Sequence, residues 1–317
     1  MADFASWQPS ATIDTLVARA RMIQTIRQFF SERDVLEVET PILSQYSGTD
    51  LQLSQWHTEQ GHSLHTSPEF AMKRLLAAGS GDIFQICHVF RRDELGQRHN
   101  PEFTMLEWYR VGMDEFGLID DVVNLISFCS GQRSLERQCM TYEEAFLTTD
   151  LPDPHRASLT ELRQTVADKL HADATTWTRD DCLDALMSMV VEPSLPRESL
   201  CFIHQYPKSQ AALAQHQDLG DIQVARRFEL YWQGMELANG YYELTDAQEQ
   251  KSRFEAEQAV KISSGEEKRG FDQRFLDALD AGIPSCSGVA LGLDRLLMIL
   301  LQKNNIAEVM AFAFDRA

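Results

Sequence analysis

The sequence predicts an α+β fold, an antiparallel sheet flanked by helices, and three stretches carry that prediction. Residues 81–110 read as strand, polar loop, strand. Residues 228–243 read as two strands joined at Gln233-Gly234. Residues 285–302 read as a small-residue strand running straight into an apolar helix. Helical periodicity fills most of the chain between them. At 317 residues, with 44% hydrophobic and 24% charged residues, the composition is that of an ordinary soluble globular protein. We expect one domain over 1–317 with a helical insertion at about 148–197.

Residues 1–13 carry no pattern. From Asp14 to about Arg33, Leu16, Ala20, Ile23 and Phe30 recur at helical spacing. VLEVETPIL (35–43) reads as a strand stopped by Pro41, and 49–62 as a polar loop. In HTSPEFAMKRLLAAG (65–79), Pro68 suits a helix N1, Ser67 a cap, and Gly79 the end of the helix. Glu69 falls in the first turn, where helix-dipole complementarity alone is one explanation.

The strand 81–90 leads into FRRDELGQRHNPEFTMLEWYR (90–110). Alternation puts Phe103, Met105, Glu107 and Tyr109 on one face of the outgoing strand. It puts Arg91 and Asp93 on one face of the incoming strand, with Arg92 and Glu94 opposite. Charged residues are rarely buried unpaired, so ionic and aromatic groups interleaved on one face point to a binding floor more than to a solvated edge. A helix follows at 116–131, then the polar, helical 148–197, then a strand and loop at 198–214.

In FELYWQGMELANGYYELTDAQEQ (228–250), a turn at Gln233-Gly234 sets Tyr231 opposite Glu236 and Glu229 opposite Ala238. The two glutamates then share one face, and like charges so placed repel unless a cation joins them. A hard cation such as Mg²⁺ with phosphate oxygens suits that pair. The alternative is an acidic edge that discourages aggregation. Asn239-Gly240 suggests a bulge that turns Glu243 back to the same face. In SCSGVALGLDRLLMILLQ (285–302), Gly288 and Gly292 permit close backbone approach before Asp294 and Arg295.

Charge narrows the function classes. Lys plus Arg is 29 against 48 Asp plus Glu, a net charge of −19. Broad nucleic-acid binding needs a basic surface, so it is disfavoured. No run is long and apolar enough to span a bilayer, and no signal pattern opens the chain. Six cysteines without a CxxC pair suggest reduced thiols and a cytoplasmic protein.

Taken together, FR-x-[DE]…RHNPEFTMLEWY, E-x-x-N-G-x-x-E and G-V-A-L-G-L-D-R-L resemble motifs 2 and 3 and the lysyl signature of class II aminoacyl-tRNA synthetases. The helix–strand–proline at 14–43 resembles motif 1, which implies a homodimer. The resemblance implies the class II catalytic fold and ATP-dependent attack of a carboxylate on the α-phosphate. It implies that Arg91 and Arg295 are catalytic. Arg91, Asp93, His99, Asn100, Phe103 and Arg295 would bind ATP, and Glu229 and Glu236 would hold Mg²⁺. Ser67, Glu69, Glu107, Tyr109, Asn239, Glu243, Ala290 and Gly292 would line the pocket of a substrate with two ammonium groups.

Three departures from the lysyl pattern matter. The first helix begins too early to leave room for an anticodon-binding barrel. FRNE is replaced by FRRD, so Asp93 is one methylene short. Ser67 and Ala290 replace Ala and Gly beside the amino-acid pocket. A barrel-less core of this kind resembles the bacterial ligases that attach (R)-β-lysine to elongation factor P. That resemblance spans nearly the whole chain and is weakest in 148–197. It implies elongation factor P as partner, with tRNA not the expected acceptor. Two other readings stand beside it: a freestanding activator serving tRNA or a small amine, and a non-catalytic nucleotide- or amino-acid-binding paralogue.

Overall fold

The computed structural model describes residues 7–46, 54–132, 135–263 and 270–317. The start of the 1–13 lead and most of the first half of the polar stretch 49–62 lie outside these, as do 264–269 of the charged stretch before Gly282.

The chain begins with α1 (Ile13–Ser31), capped by the Thr12 side chain, which accepts from Thr15 N. Two short strands follow, β1 (Leu36–Glu37) and β2 (Leu43–Ser44); β2 pairs with β3 (Ser63–Leu64) in a separate small sheet. Then come α2 (Glu69–Ala77), β4 (Ile83–Phe90), β5 (Glu102–Val111) and α3 (Glu115–Ser130). A parallel edge strand β6 (Arg137–Thr141) leads into α4 (Tyr142–Leu147), α5 (Leu159–Leu170), α6 (Arg179–Leu186) and the single turn α7 (Glu192–Ser194). The remaining strands are β7 (Leu200–Pro207), β8 (His216–Asp218), β9 (Gln223–Trp232), β10 (Met235–Tyr242) and β11 (Cys286–Gly292). The remaining helices are α8 (Ala247–Ser263), α9 (Gln273–Gly282) and α10 (Leu293–Leu300).

The main sheet runs β1-β4-β5-β11-β10-β9-β7-β6, with β8 added to β9. Its centre, from β4 to β7, is antiparallel as expected; only the end pairs β1–β4 and β6–β7 are parallel. Strand period 2 divides the molecule. Leu106 and Trp108 of β5, Phe228 and Leu230 of β9, and Val289 and Leu291 of β11 enter one core with α1, α3 and α10. Their neighbours Glu107, Glu229 and Ala290 face the other side, where the cavity lies. Each fully buried large side chain on the core side contributes about 1.5–3 kcal/mol relative to exposure. The helices of the 148–197 insertion pack with Tyr142, Phe146 and the outer strands into a second core, and α2 and α9 form a third.

Two sequence expectations are corrected here. The face of α1 that is buried is Met22, Ile26 and Phe29, together with Phe30, while Ala20 is exposed. The larger side chains at i, i+4 and i+7 claim the core, and Arg19 on that face reaches Asp294 at 2.6 Å. The strand expected over 35–43 is two separate pairs. Val38 N still donates to Phe84 O, but Pro41 cannot continue a ladder and the chain leaves the main sheet.

Candidate active site

One cavity of about 1210 Å³ opens over β5, β10 and β11, walled by α2 and α8 at one end and by α6 at the other. Every residue the sequence singled out lines it except Asp93.

The cationic end is built from the β4–β5 loop and the start of α10. Arg91 lies 5.1 Å from the Phe103 ring centroid and 3.2 Å from Glu94. Arg295 donates to Glu236 O and Arg98 O, and Arg98 in turn holds Gly234 O by a short bond. His99 is held below its ordinary pKa by burial first, then by Arg295, Arg91 and Arg98, with Glu94 opposing. Three guanidiniums and an imidazole converging on one end make an anion site. Asn100 lines it too, but its amide donates to Glu102 O and accepts from Phe314 N, so its side chain holds the chain terminus in place.

Asp93 departs from expectation. The strand ends at Phe90, and a turn at Arg92-Asp93 breaks the alternation on which the face assignment rested. Asp93 points to solvent, its pKa lowered by a hydrogen bond from Ser54 and then by Arg92. Glu94 takes the place beside Arg91. The pairing of Arg91 with a carboxylate three residues on is a turn signature, not a strand one.

Glu229 and Glu236 stand on β9 and β10 near the cationic end. Gln233 and Gly234, with φ of 53° and 71°, form the tight turn the sequence indicated, and Tyr231 pairs with Glu236. The bulge, however, lies between Glu236 and Ala238, so Glu229 pairs with Asn239 rather than Ala238. That earlier bulge brings Glu236, Asn239, Tyr241 and Glu243 to the cavity from one strand and its continuation. Gly240 is needed for packing instead: a Cβ there would stand 2.4 Å from the Phe228 ring. Glu229 accepts from Tyr206 OH at 2.6 Å, from Tyr231 OH and from Arg227. Glu236 is more open, with its side chain 44% exposed, and its carboxyl is raised by the enclosing cleft and by Glu229. Among the described residues no group of three His, Cys, Asp or Glu converges as a metal cage. Glu236, open to the cavity beside the anion site, fits a cation such as Mg²⁺ that takes its other ligands from phosphate and water; Glu229 would join it by giving up one of its present partners, Arg227 or a tyrosine hydroxyl.

The opposite end is acidic and buried. Glu107 accepts from Tyr109 OH and from Ser67 Oγ, each at 2.7 Å, and burial followed by Glu69 pushes its carboxyl up to about 7. Ser67 also accepts from Glu69 N at 3.0 Å, so it caps α2 from just outside the helix, where Pro68 is the N-cap residue. Ala290 sits between Glu107 on β5 and Asn239 on β10, and Gly292 opposite Met105. Gly288 is tightly overlaid: a Cβ there would meet the Tyr109 ring at 2.3 Å and Glu243 Oε1 at 2.5 Å.

Sequence reasoning missed Lys73, Glu94, Arg98 and the Arg227–Tyr206 support of Glu229. Lys73 alone had a signal: it follows Glu69 by four residues on a helix, the spacing of an ion pair.

A family model for tRNA synthetases of class II (D, K and N) matches residues 4–316. The chain belongs to that family. An elongation factor P–(R)-β-lysine ligase of Salmonella typhi is 47% identical over 331 aligned positions, covering all of both chains. The ligase of the same name from Pasteurella multocida is 48% identical over 324, covering 98% of each. Within its class the chain stands with these ligases, and it is an enzyme.

Proposed function

We propose that the protein activates (R)-β-lysine with ATP as an aminoacyl-adenylate and transfers it to a lysine side-chain amine of elongation factor P. The observation that supports this most is one cavity with a triple-arginine end and an end bearing three carboxylates, two of them buried. An anion attacking a polyanion is limited by charge, so the groups needed are those that position and neutralise. Arg91 holds the α-phosphate and the substrate carboxylate through its planar fork, which Lys lacks. Phe103 stacks on adenine, and His99 and Arg295 hold the phosphate tail. Glu229 and Glu236 would hold Mg²⁺, which when bound would neutralise phosphate charge. Glu69, Glu107, Tyr109, Asn239 and Glu243 receive the two ammonium groups, and Ser67 and Ala290 shape the subsite between them.

The acceptor amine is part of a protein, in keeping with the net charge of −19. All six cysteines are free, and among the described residues no helix is long and apolar enough to cross a membrane. A cytoplasmic site of action agrees with both. The enzyme acts as a homodimer, as the helix–strand–proline at 14–43 implies; within that segment Leu36, Ile42 and Leu43 are exposed apolar side chains that a second copy would cover.

The test is pyrophosphate exchange with α-lysine and both β-lysine enantiomers, followed by incubation with elongation factor P or bulk tRNA. Strongest exchange with (R)-β-lysine supports the reading. Exchange only with α-lysine, or none with any isomer, removes it.

A further inference from the structure

Behind the acidic wall of the cavity lies a buried cation. Lys73, one turn after Glu69 on α2, has no exposed surface. Its Nζ lies 2.6 Å from Glu69 Oε1 and 2.5 Å from Glu243 Oε2. A buried ammonium is tolerated only when paired, and removing one partner of such a pair is strongly destabilising. The polar groups and the ring that face it come from several elements. They are Glu69 on its own helix, Glu243 after β10, Glu107 on β5, the Cys286 thiol on β11, and the Phe275 ring of α9 at 5.8 Å, while Tyr109 on β5 faces the same three glutamates. Burial opposes the Lys73 charge, yet Glu243 and Glu69 outweigh it and hold the pKa above that of an ordinary lysine. Lys73 is thus a resident ammonium amid three carboxylates.

Its geometry is specific. Lys73 takes one oxygen from Glu69 and one from Glu243. The second oxygen of Glu243 lies over Gly288, where the missing side chain leaves it room at the cavity wall. We propose that Lys73 is the positioning residue of the amine subsite, an internal ammonium that ties Glu69 and Glu243 into one unit whose remaining oxygens receive the substrate's two ammonium groups. This rests on the reading above that the substrate is a diamine. Lys73 itself touches neither ATP nor the reacting atoms; it acts through the two glutamates.

The charge role has a pH consequence. Burial raises the Glu243 carboxyl to about 8, against the pull of Lys73. Without Lys73 that carboxyl rises further, because burial, Glu69 and Glu107 remain. A carboxyl binds a cation only to the extent that it is ionised, so without Lys73 ammonium binding at neutral pH is weaker than in the wild type, and the difference closes as pH rises.

The experiment is amino-acid-dependent pyrophosphate exchange by Lys73→Met over pH 6.5–9. We expect KM for (R)-β-lysine to rise on the order of tenfold or more at pH 7, one pKa unit being a factor of ten. The gap to wild type should narrow toward pH 9, with KM for ATP unchanged. A folded Lys73→Met with the wild-type KM and pH profile overturns the proposal, since a packing role would not couple KM to pH. If Lys73→Met does not fold, lysine-¹⁵N-labelled wild type gives the answer, with Lys73→Arg to assign the signal. A slowly exchanging Nζ resonance that moves on saturation with (R)-β-lysine supports the proposal, and one indifferent to the substrate overturns it. A wild type inert toward β-lysine removes the functional reading itself. An active wild type with an indifferent Lys73 removes only this assignment.

Discussion

At Ala290 a single methyl group stands between Glu107 across one strand pair and Asn239 across the other. A β-amino acid has one more backbone carbon between amine and carboxylate. With the carboxylate at Arg91 and the terminal ammonium near Glu243, the other amine moves and part of the α-lysine volume is left for this methyl. Ser67 donates its proton to Glu107, so it meets that amine as an acceptor, with one lone pair already taken by Glu69 N. One methyl-sized group discriminates by roughly 1–3 kcal/mol, or 10–200-fold. Ala290→Gly should therefore shift preference toward α-lysine by about that range while β-lysine activity survives in part. The kcat/KM for adenylation with both isomers checks this, and an unchanged ratio would make Ala290 a packing residue only. Glu236 offers a second test at this scale. Its side chain is open to the cavity, so Glu236→Gln should fold normally, yet lose adenylate formation by weakening the Mg²⁺ site. Near-normal exchange by the folded variant would remove the metal assignment.

At the scale of elements, the join between α1, β5 and α10 holds the sheet's core side together. Asp294 is 1% exposed, accepts from Thr104 N at 2.7 Å and pairs with Arg19 at 2.6 Å. Arg19→Ala leaves that carboxylate buried with only part of its compensation, at about 3–5 kcal/mol. We expect a large drop in the urea midpoint with little change in KM for ATP at low temperature; an unaltered midpoint would contradict the packing described. These elements also show what could be read in advance. The β9–β10 turn was legible because Gln233-Gly234 fixes a two-residue connection. The bulge was not, because Leu237 carries no local signal and the register shift depends on pairing with both β9 and β11. Strand alternation misplaces Asp93 because the strand stops at Phe90 and a turn follows. Lys73 does not stand out in the sequence because a Glu-to-Lys spacing on a helix is usually a surface pair; only the tertiary placement of Glu243 makes it a buried bridge. The α1 helix was clear from periodicity, but its inward face was set by Phe29 and by the distant Asp294.

For the whole molecule, two properties carry predictions. The exposed Leu36, Ile42 and Leu43 in and beside β1 and β2 should lie in a homodimer interface. Sedimentation velocity should show a dimer for the wild type, and Leu36→Glu with Leu43→Glu should yield monomer with reduced exchange activity. A monomeric, fully active wild type would contradict this. The strongly acidic surface and the paired ends of the cavity together bear on the central claim, that the activated amino acid goes to a protein amine.

The most direct measurement supplies the purified enzyme with ATP, Mg²⁺ and labelled (R)-β-lysine, and offers elongation factor P and bulk tRNA in parallel. The account predicts label joined covalently to elongation factor P through a lysine side chain, with tRNA essentially uncharged. Efficient charging of tRNA with elongation factor P left unmodified would contradict it.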